Sequence, residues 1–294
     1  MVVRPGFAPA KVNLFLHVGP PAADGYHPVC SLMTFADVGD EVSLVAGGAG
    51  LAIEGPFAAG LDAGADNLVS RAREALLALG GRIDATFGLR LTKQLPIAAG
   101  LGGGSADAAA ALRLIRERVT PAPTDAELET IARSLGADVT ACLASRPVVG
   151  TGRGDDLEPA PILPDLPAVL INPLVASPTG EVYRAYDAAT SPQGAARPAA
   201  PGPIDSPRTA AAWLATCRND LEAPAVRLRP TIGDALARLA AESETLLARM
   251  SGSGATCFAL CESESDAATL AARLSAAEPG WWVRPTVLKG AAQP

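Results

Sequence analysis

The chain has 294 residues, 49% of them hydrophobic and 19% charged, and a net charge of −7. That length can bury a core in each of two ordinary domains, and an acidic balance without a basic cluster excludes a protein that tracks a nucleic-acid backbone. Five scattered cysteines without a Cys-x-x-Cys pair, and only two histidines (His17 and His27), exclude a disulfide framework and a multi-histidine metal site and point to a reducing cytoplasm.

No signal peptide is expected, because Met1 to Pro5 lacks a charged region leading into an apolar stretch. The longest uncharged run, Leu166 to Gly180, is fifteen residues with three prolines, too short to span a membrane. Of the 24 basic residues only Lys11, Lys93 and Lys289 are lysines. A compact ammonium at position 11, where arginine is the default cation, points to a chemical reason for it.

In chain order, Lys11 to Val18 alternates as a strand does, and Asp40 to Val45 and Leu51 to Ile53 read as short strands around Gly47-Gly48. Asn67 to Leu79 places Leu68, Ala72, Ala75, Leu76 and Leu79 on one helical face and ends at Gly80-Gly81. Thr86 to Leu91 is a further strand. Asp125 to Ser134 predicts a helix with Thr124 and Glu127 as a capping box and Gly136 at its end. Pro159 to Pro164 reads as a hinge and Ala168 to Ile171 as a buried strand. Residues 188–207, rich in proline and alanine, predict a long loop. Helices follow at Thr209–Ala215, Ile232–Ala240 and Ser265–Ala276, and strands at Cys257–Cys261 and Trp282–Leu288. Strands and helices mix without a strict βαβ rhythm, so the fold class is α+β, not doubly wound.

The segment Pro96-Ile97-Ala98-Ala99-Gly100-Leu101-Gly102-Gly103-Gly104-Ser105-Ala106 carries the most information. Four glycines in five positions allow positive φ and close approach of backbone to a ligand. The residues from Ser105 to Ile115 read as a helix with Ser105 near its N-cap. A glycine loop opening into a helix N-terminus offers unpaired N–H groups and the positive end of the helix dipole, which suits phosphate. The absence of a following Gly-Lys-Ser/Thr excludes a Walker loop, and Ser105 replaces the last glycine of a dinucleotide fingerprint. The plainer alternative is a flexible turn before an alanine-rich helix.

Asp138, in Gly136-Ala137-Asp138-Val139, either caps a following helix or accepts a hydroxyl proton, the latter beside a cation such as Lys11. Lys11 is otherwise a solvated residue at a strand start. Asp24-Gly25-Tyr26-His27 reads first as a turn; its aromatic and imidazole are also able to stack on and hydrogen-bond a base. Ser251 to Thr256 is an ordinary helix-to-strand turn, or a second glycine-serine loop that cradles the other end of a triphosphate or its acceptor.

Together these residues resemble the superfamily of galactose, homoserine, mevalonate and phosphomevalonate kinases, the GHMP kinases. Pro96 to Ala106 matches its phosphate loop. The motif order of Ala8 to Leu14, Asp24 to His27, Asp66 to Leu68, Gly136 to Val139 and Ser251 to Ala255 is similar to one branch of it. That branch phosphorylates the 2-hydroxyl of a cytidine-diphosphate-linked methylerythritol on the non-mevalonate route to isoprenoid precursors. The resemblance implies a two-domain α+β architecture, with a ribosomal-protein-like N-terminal domain over 1–158 and a smaller ferredoxin-like domain over 159–294. It implies ATP with Mg²⁺, the phosphates on Gly100 to Ala106, Asn67 approaching the adenine, and Ser105 as one conceivable magnesium ligand. It further implies Asp138 as base and Lys11 as electrostatic partner, and Asn13, Tyr26, His27, Thr179 and Tyr183 around a small-molecule substrate. Nucleic-acid and membrane partners are not implied, and the oligomeric state stays open. Thr140 stands where the family has proline, and Tyr183 where it has phenylalanine. A mevalonate or homoserine kinase of the same superfamily, or a non-catalytic nucleotide-binding protein with its fold, are the alternatives.

Overall fold

The computed structural model describes residues 4–83, 86–189 and 193–291. The first three residues of the terminus read above, and 190–192 of the proline-rich stretch, lie outside the described residues. The first half contains β1 (Phe7–Val18), β2 (Val29–Ala46), β3 (Leu51–Glu54), α1 (Leu68–Leu77), β4 (Arg82–Ile83), β5 (Phe87–Thr92) and α2 (Gly103–Arg116). β6 (Val119–Thr120), α3 (Asp125–Leu135), α4 (Ala137–Ala144), β7 (Val148–Thr151), β8 (Asp156–Pro159), β9 (Leu166–Asn172) and α5 (Thr179–Ala189) follow. The chain closes with α6 (Pro207–Ala215), α7 (Glu222–Leu228), α8 (Pro230–Ala240), β10 (Leu247–Met250), β11 (Cys257–Leu260), α9 (Glu264–Ala277) and β12 (Trp282–Leu288).

Two compact units are present, each assembled from several segments. The first comprises 1–10, 39–97 and 102–145; the second 11–38, 98–101 and 146–294. The 1–158 and 159–294 reading is instead a single cut along the chain. β1 and β2 each contribute residues to both units, which one cut does not capture.

In the first unit β5 pairs antiparallel with residues 41–46 of β2 and parallel with β3. Helices α1 to α4 pack on one another. Ala106 and Ala108 to Ala111 on α2 are fully buried, and side chains this small let neighbouring helices approach closely. The capping box of Thr124 and Glu127 starts α3 as its sequence predicts. Asn67 caps α1, accepting from the Val69 N–H at 2.9 Å.

In the second unit β9, β10, β11 and β12 pair antiparallel in the order β10-β11-β9-β12. Helices connect β9 to β10, and α9 connects β11 to β12, giving the ferredoxin-like arrangement. α9 packs on β9 and β12 and α8 on β10 and β11, and every residue of β9 is buried. β12 continues the pairing to β2 at Leu288–Ala36, and β2 pairs with β7. The long loop read over 188–207 is narrower than that, because α5 runs through Ala189 and α6 starts at Pro207; the described residues from 193 to 206 form no helix or strand.

Candidate active site

The candidate residues fall into two groups, one in each unit. In the second unit Lys11 and Asn13 lie two apart on β1 and therefore share a face. Both are 4% exposed. Lys11 Nζ donates to Asn13 Oδ1 at 2.9 Å, and Asn13 Nδ2 donates to Ser31 Oγ at 2.7 Å. Ser31 Oγ donates in turn to the Phe15 carbonyl at 2.7 Å. This chain leaves the Asn13 amide one orientation, and Ser31 is a member that sequence reading missed.

Residues 98–101 meet the Ser251–Thr256 loop directly. Ser251 Oγ donates to the Gly100 carbonyl at 2.9 Å, and the Thr256 N–H to the Ala99 carbonyl at 3.0 Å. The Asn13 N–H donates to Ser251 Oγ at 3.1 Å. Two buried amides brace the second loop from behind. Asn219 Nδ2 donates to the carbonyls of Met250 and Gly252, both at 2.8 Å, and Asn172 Nδ2 donates to Thr256 Oγ1 at 2.9 Å. The signal for both was a lone asparagine beside apolar sequence, which is too common to single out.

The aromatic group also lies in the second unit. The His27 ring stands 5.1 Å from Tyr183 and 5.7 Å from Tyr186. His27 Nδ1 donates to the Gly19 carbonyl at 2.8 Å, and Nε2 faces Asp187 Oδ1 at 3.1 Å. Tyr26 is 58% exposed, with the Arg153 guanidinium 4.1 Å from its ring centroid. Thr179 opens α5 one turn before Tyr183, and its Oγ1 lies 2.8 Å from Ser253 Oγ.

The first unit holds α2, Asn67 and Asp138. Ala98 and Gly100, which belong to the second unit, and Gly102, with which the first resumes, have φ of 51°, 74° and 60°, so the loop takes the left-handed region even at a residue with a Cβ. Gly102 is the N-cap of α2 and supplies no side-chain cap, so Ser105 is the third helical residue and not the cap. A glycine reaches the αL geometry of this cap without strain, which serine does not. The first N–H groups of α2 therefore carry no side-chain cap and point along the positive end of the dipole. A Cβ at Gly103 would face Lys93 Nζ, Asp40 Oδ2 and Leu95 Cδ1 at 3.3–3.8 Å, so a side chain there presses on buried groups. Asp138 is the second residue of α4, half-buried in its first turn, where the helix dipole favours a carboxylate. α4 runs unbroken through Thr140, which is buried.

The GHMP kinase N-terminal domain model matches residues 67–146, and the GHMP kinase C-terminal model residues 207–280. A 4-diphosphocytidyl-2-C-methyl-D-erythritol kinase of Caulobacter vibrioides (strain NA1000 / CB15N) is 58% identical over 281 residues, covering 95% of this chain and 97% of the relative. The chain belongs to the GHMP kinase family. A solved 4-(cytidine 5'-diphospho)-2C-methyl-D-erythritol kinase superposes with a TM-score of 0.71 at 35% identity, covering 97% of this chain and 99% of that one. A homoserine kinase from Cytophaga hutchinsonii shares the fold at 21% identity, with a TM-score of 0.66 and coverage of 100% and 97%.

This GHMP kinase is thus a phosphotransferase with an alcohol group as acceptor and ATP as donor, on a two-domain α+β architecture. Among the described residues no helix is long and apolar enough to cross a membrane.

Proposed function

We propose that this kinase phosphorylates the 2-hydroxyl of 4-diphosphocytidyl-2-C-methyl-D-erythritol in the cytoplasm, on the non-mevalonate route to isoprenoid precursors. The observation that carries the reading is the aromatic group around His27. The chain has three tyrosines, and Tyr183 and Tyr186 flank the His27 ring while Tyr26 adjoins it in sequence. Such a group suits a nucleobase, for which mevalonate and homoserine have no counterpart. The relative at 58% identity supports the same substrate.

Asp138 takes the hydroxyl proton, and Lys11 stabilises the developing negative charge. Gly100 to Ala106 holds the phosphates, with Pro96 to Ala99 forming the approach to them and Asn67 meeting the adenine. Asn13 orients the acceptor, Tyr26 and His27 hold the cytosine, and Thr179 and Tyr183 close over it. Magnesium enters on the triphosphate. Among the described residues no three His, Cys, Asp or Glu side chains gather as a metal cage. A magnesium ion held mainly by phosphate oxygens and water needs few protein ligands, and the Ser105 hydroxyl in the first turn of α2 fits as one.

The test is ATP-dependent ADP release with the cytidine compound, mevalonate and homoserine as acceptors. Turnover confined to the cytidine compound is expected. Turnover with another alcohol overturns the substrate, and ATP binding with no turnover on any of the three favours a non-catalytic nucleotide binder.

A further inference from the structure

Two of the three lysines are buried: Lys11, and Lys93 at 3% exposure in the first unit. The Lys93 ammonium donates to Asp40 Oδ2 at 2.5 Å and to Asp107 Oδ2 at 2.9 Å. Asp40 Oδ1 accepts the N–H groups of Gln94 and Leu95 at 2.5 and 2.8 Å, and these residues lead straight into Pro96. Asp107 stands on α2 one turn after Gly103. One buried network therefore grips the chain as it enters the glycine loop, through Asp40, and as it leaves, through Asp107. A Cβ at Gly103 would lie 3.3 Å from Lys93 Nζ, so the ammonium sits directly beneath the first residue of α2. A planar guanidinium needs more room than that contact leaves, which accounts for lysine in an arginine-rich chain.

Burial pushes the Asp107 carboxyl well above the usual aspartate range, against the pull of Lys93. Its Oδ1 is buried and lacks a hydrogen-bond partner among the described residues. With Asp107 protonated, the trio is one ammonium, one carboxylate and one neutral acid, carrying no net charge. Ionised, it would set a net negative charge about one turn from a helix N-terminus that takes a triphosphate.

We propose that the Lys93–Asp40–Asp107 network positions the phosphate loop and sets its affinity for ATP by holding both ends of the loop in one geometry. The three are positioning residues acting through the loop, and the proposal rests on the reading that the phosphates lie on Gly100 to Ala106.

The full-length protein is titrated calorimetrically with magnesium-ATP, followed by hydrogen–deuterium exchange at residues 102–106 and by steady-state kinetics. Lys93→Met and Asp107→Leu are expected to raise Kd and KM for ATP at least tenfold. In the same variants kcat at saturating ATP and KM for the alcohol change less than threefold. Asp107→Asn, which keeps the side-chain shape and an oxygen that accepts from Lys93 Nζ, recovers ATP affinity to within threefold of wild type. Wild-type ATP affinity in folded Lys93→Met or Asp107→Leu overturns the proposal, as does an equal loss in kcat and KM. If neither of those variants folds, Asp107→Asn decides, because a tenfold loss of ATP affinity there, with an oxygen still placed to accept from Lys93, contradicts positioning through that hydrogen bond. Failure of ATP to protect residues 102–106 in the wild type overturns the underlying phosphate reading instead, whatever the variants do.

Discussion

Replacing Gly100 by alanine puts a methyl group where the backbone of the second loop already lies. With φ at +74°, its Cβ would fall 2.3 Å from the Ser251 carbonyl oxygen and 2.9 Å from both N and O of Gly254. A residue with a Cβ in that left-handed region costs about 1–2 kcal/mol. Carbon and oxygen rest no closer than about 3.3 Å, so the second loop must retreat by roughly 1 Å. That displacement breaks the Ser251 Oγ bond to Gly100 and the Thr256 N–H bond to Ala99, each worth about 1 kcal/mol. The total is about 3–4 kcal/mol, equivalent to a fall of about 5–6 °C in Tm for a protein of this size. Differential scanning calorimetry at fixed pH and salt reads the shift, with kcat/KM recorded alongside. A Tm within about 2 °C of wild type, at unchanged kcat/KM, would refute the reasoning, because it requires that the two loops not meet.

Asp138→Asn is expected to lower kcat on the order of a hundredfold while ATP still binds; near-normal turnover removes Asp138 from the mechanism. Tyr26→Ala is expected to raise KM for the cytidine compound about tenfold with KM for ATP unchanged, from the loss of one base-stacking platform. An unchanged KM for that compound places the base elsewhere. His17 supplies a pH test. Burial lowers its pKa below the ordinary 6.5, and its Nε2 accepts the Arg218 N–H at 3.2 Å, which needs the neutral ring. The unfolded chain therefore takes up the proton first, so this stability is complete above pH 6.5 and declines as the pH falls toward the folded pKa. Urea midpoints for wild type and His17→Asn are expected to converge between neutral pH and pH 5, and parallel curves would contradict the sign.

Elements with strong local punctuation were legible in sequence. The capping box of α3, the buried run of β9 and the span of β12 all stand where periodicity and turn chemistry put them. α4 was not, because Gly136 ends α3 and starts α4 with no intervening turn, and its apolar sequence has no polar face to mark a helix. β2 was recognised only over its last residues, since Asp37, Gly39 and Asp40 interrupt the apolar pattern. Asp40 is tolerated inside the strand because Lys93 neutralises it, a partner 53 positions away that no local pattern reveals. The same holds for the loops. The glycine-rich motifs at 100–106 and 251–256 announce themselves, whereas Asn172, Asn219 and Ser31, which hold them, gain meaning only from distant partners.

The second unit also bears on how this protein can be cut and recombined. Its sheet takes β2 as a neighbour of both β12 and β7, and its Ser251–Thr256 loop is hydrogen-bonded to residues 99 and 100. A fragment beginning at residue 159 would keep the ferredoxin-like strands yet expose the edge of β12 and leave that loop without its partners. Gene fusions or cassette exchanges between relatives should therefore carry residues 11–38 and 98–101 along with the C-terminal half, since the unit is inherited as three separated stretches of one reading frame.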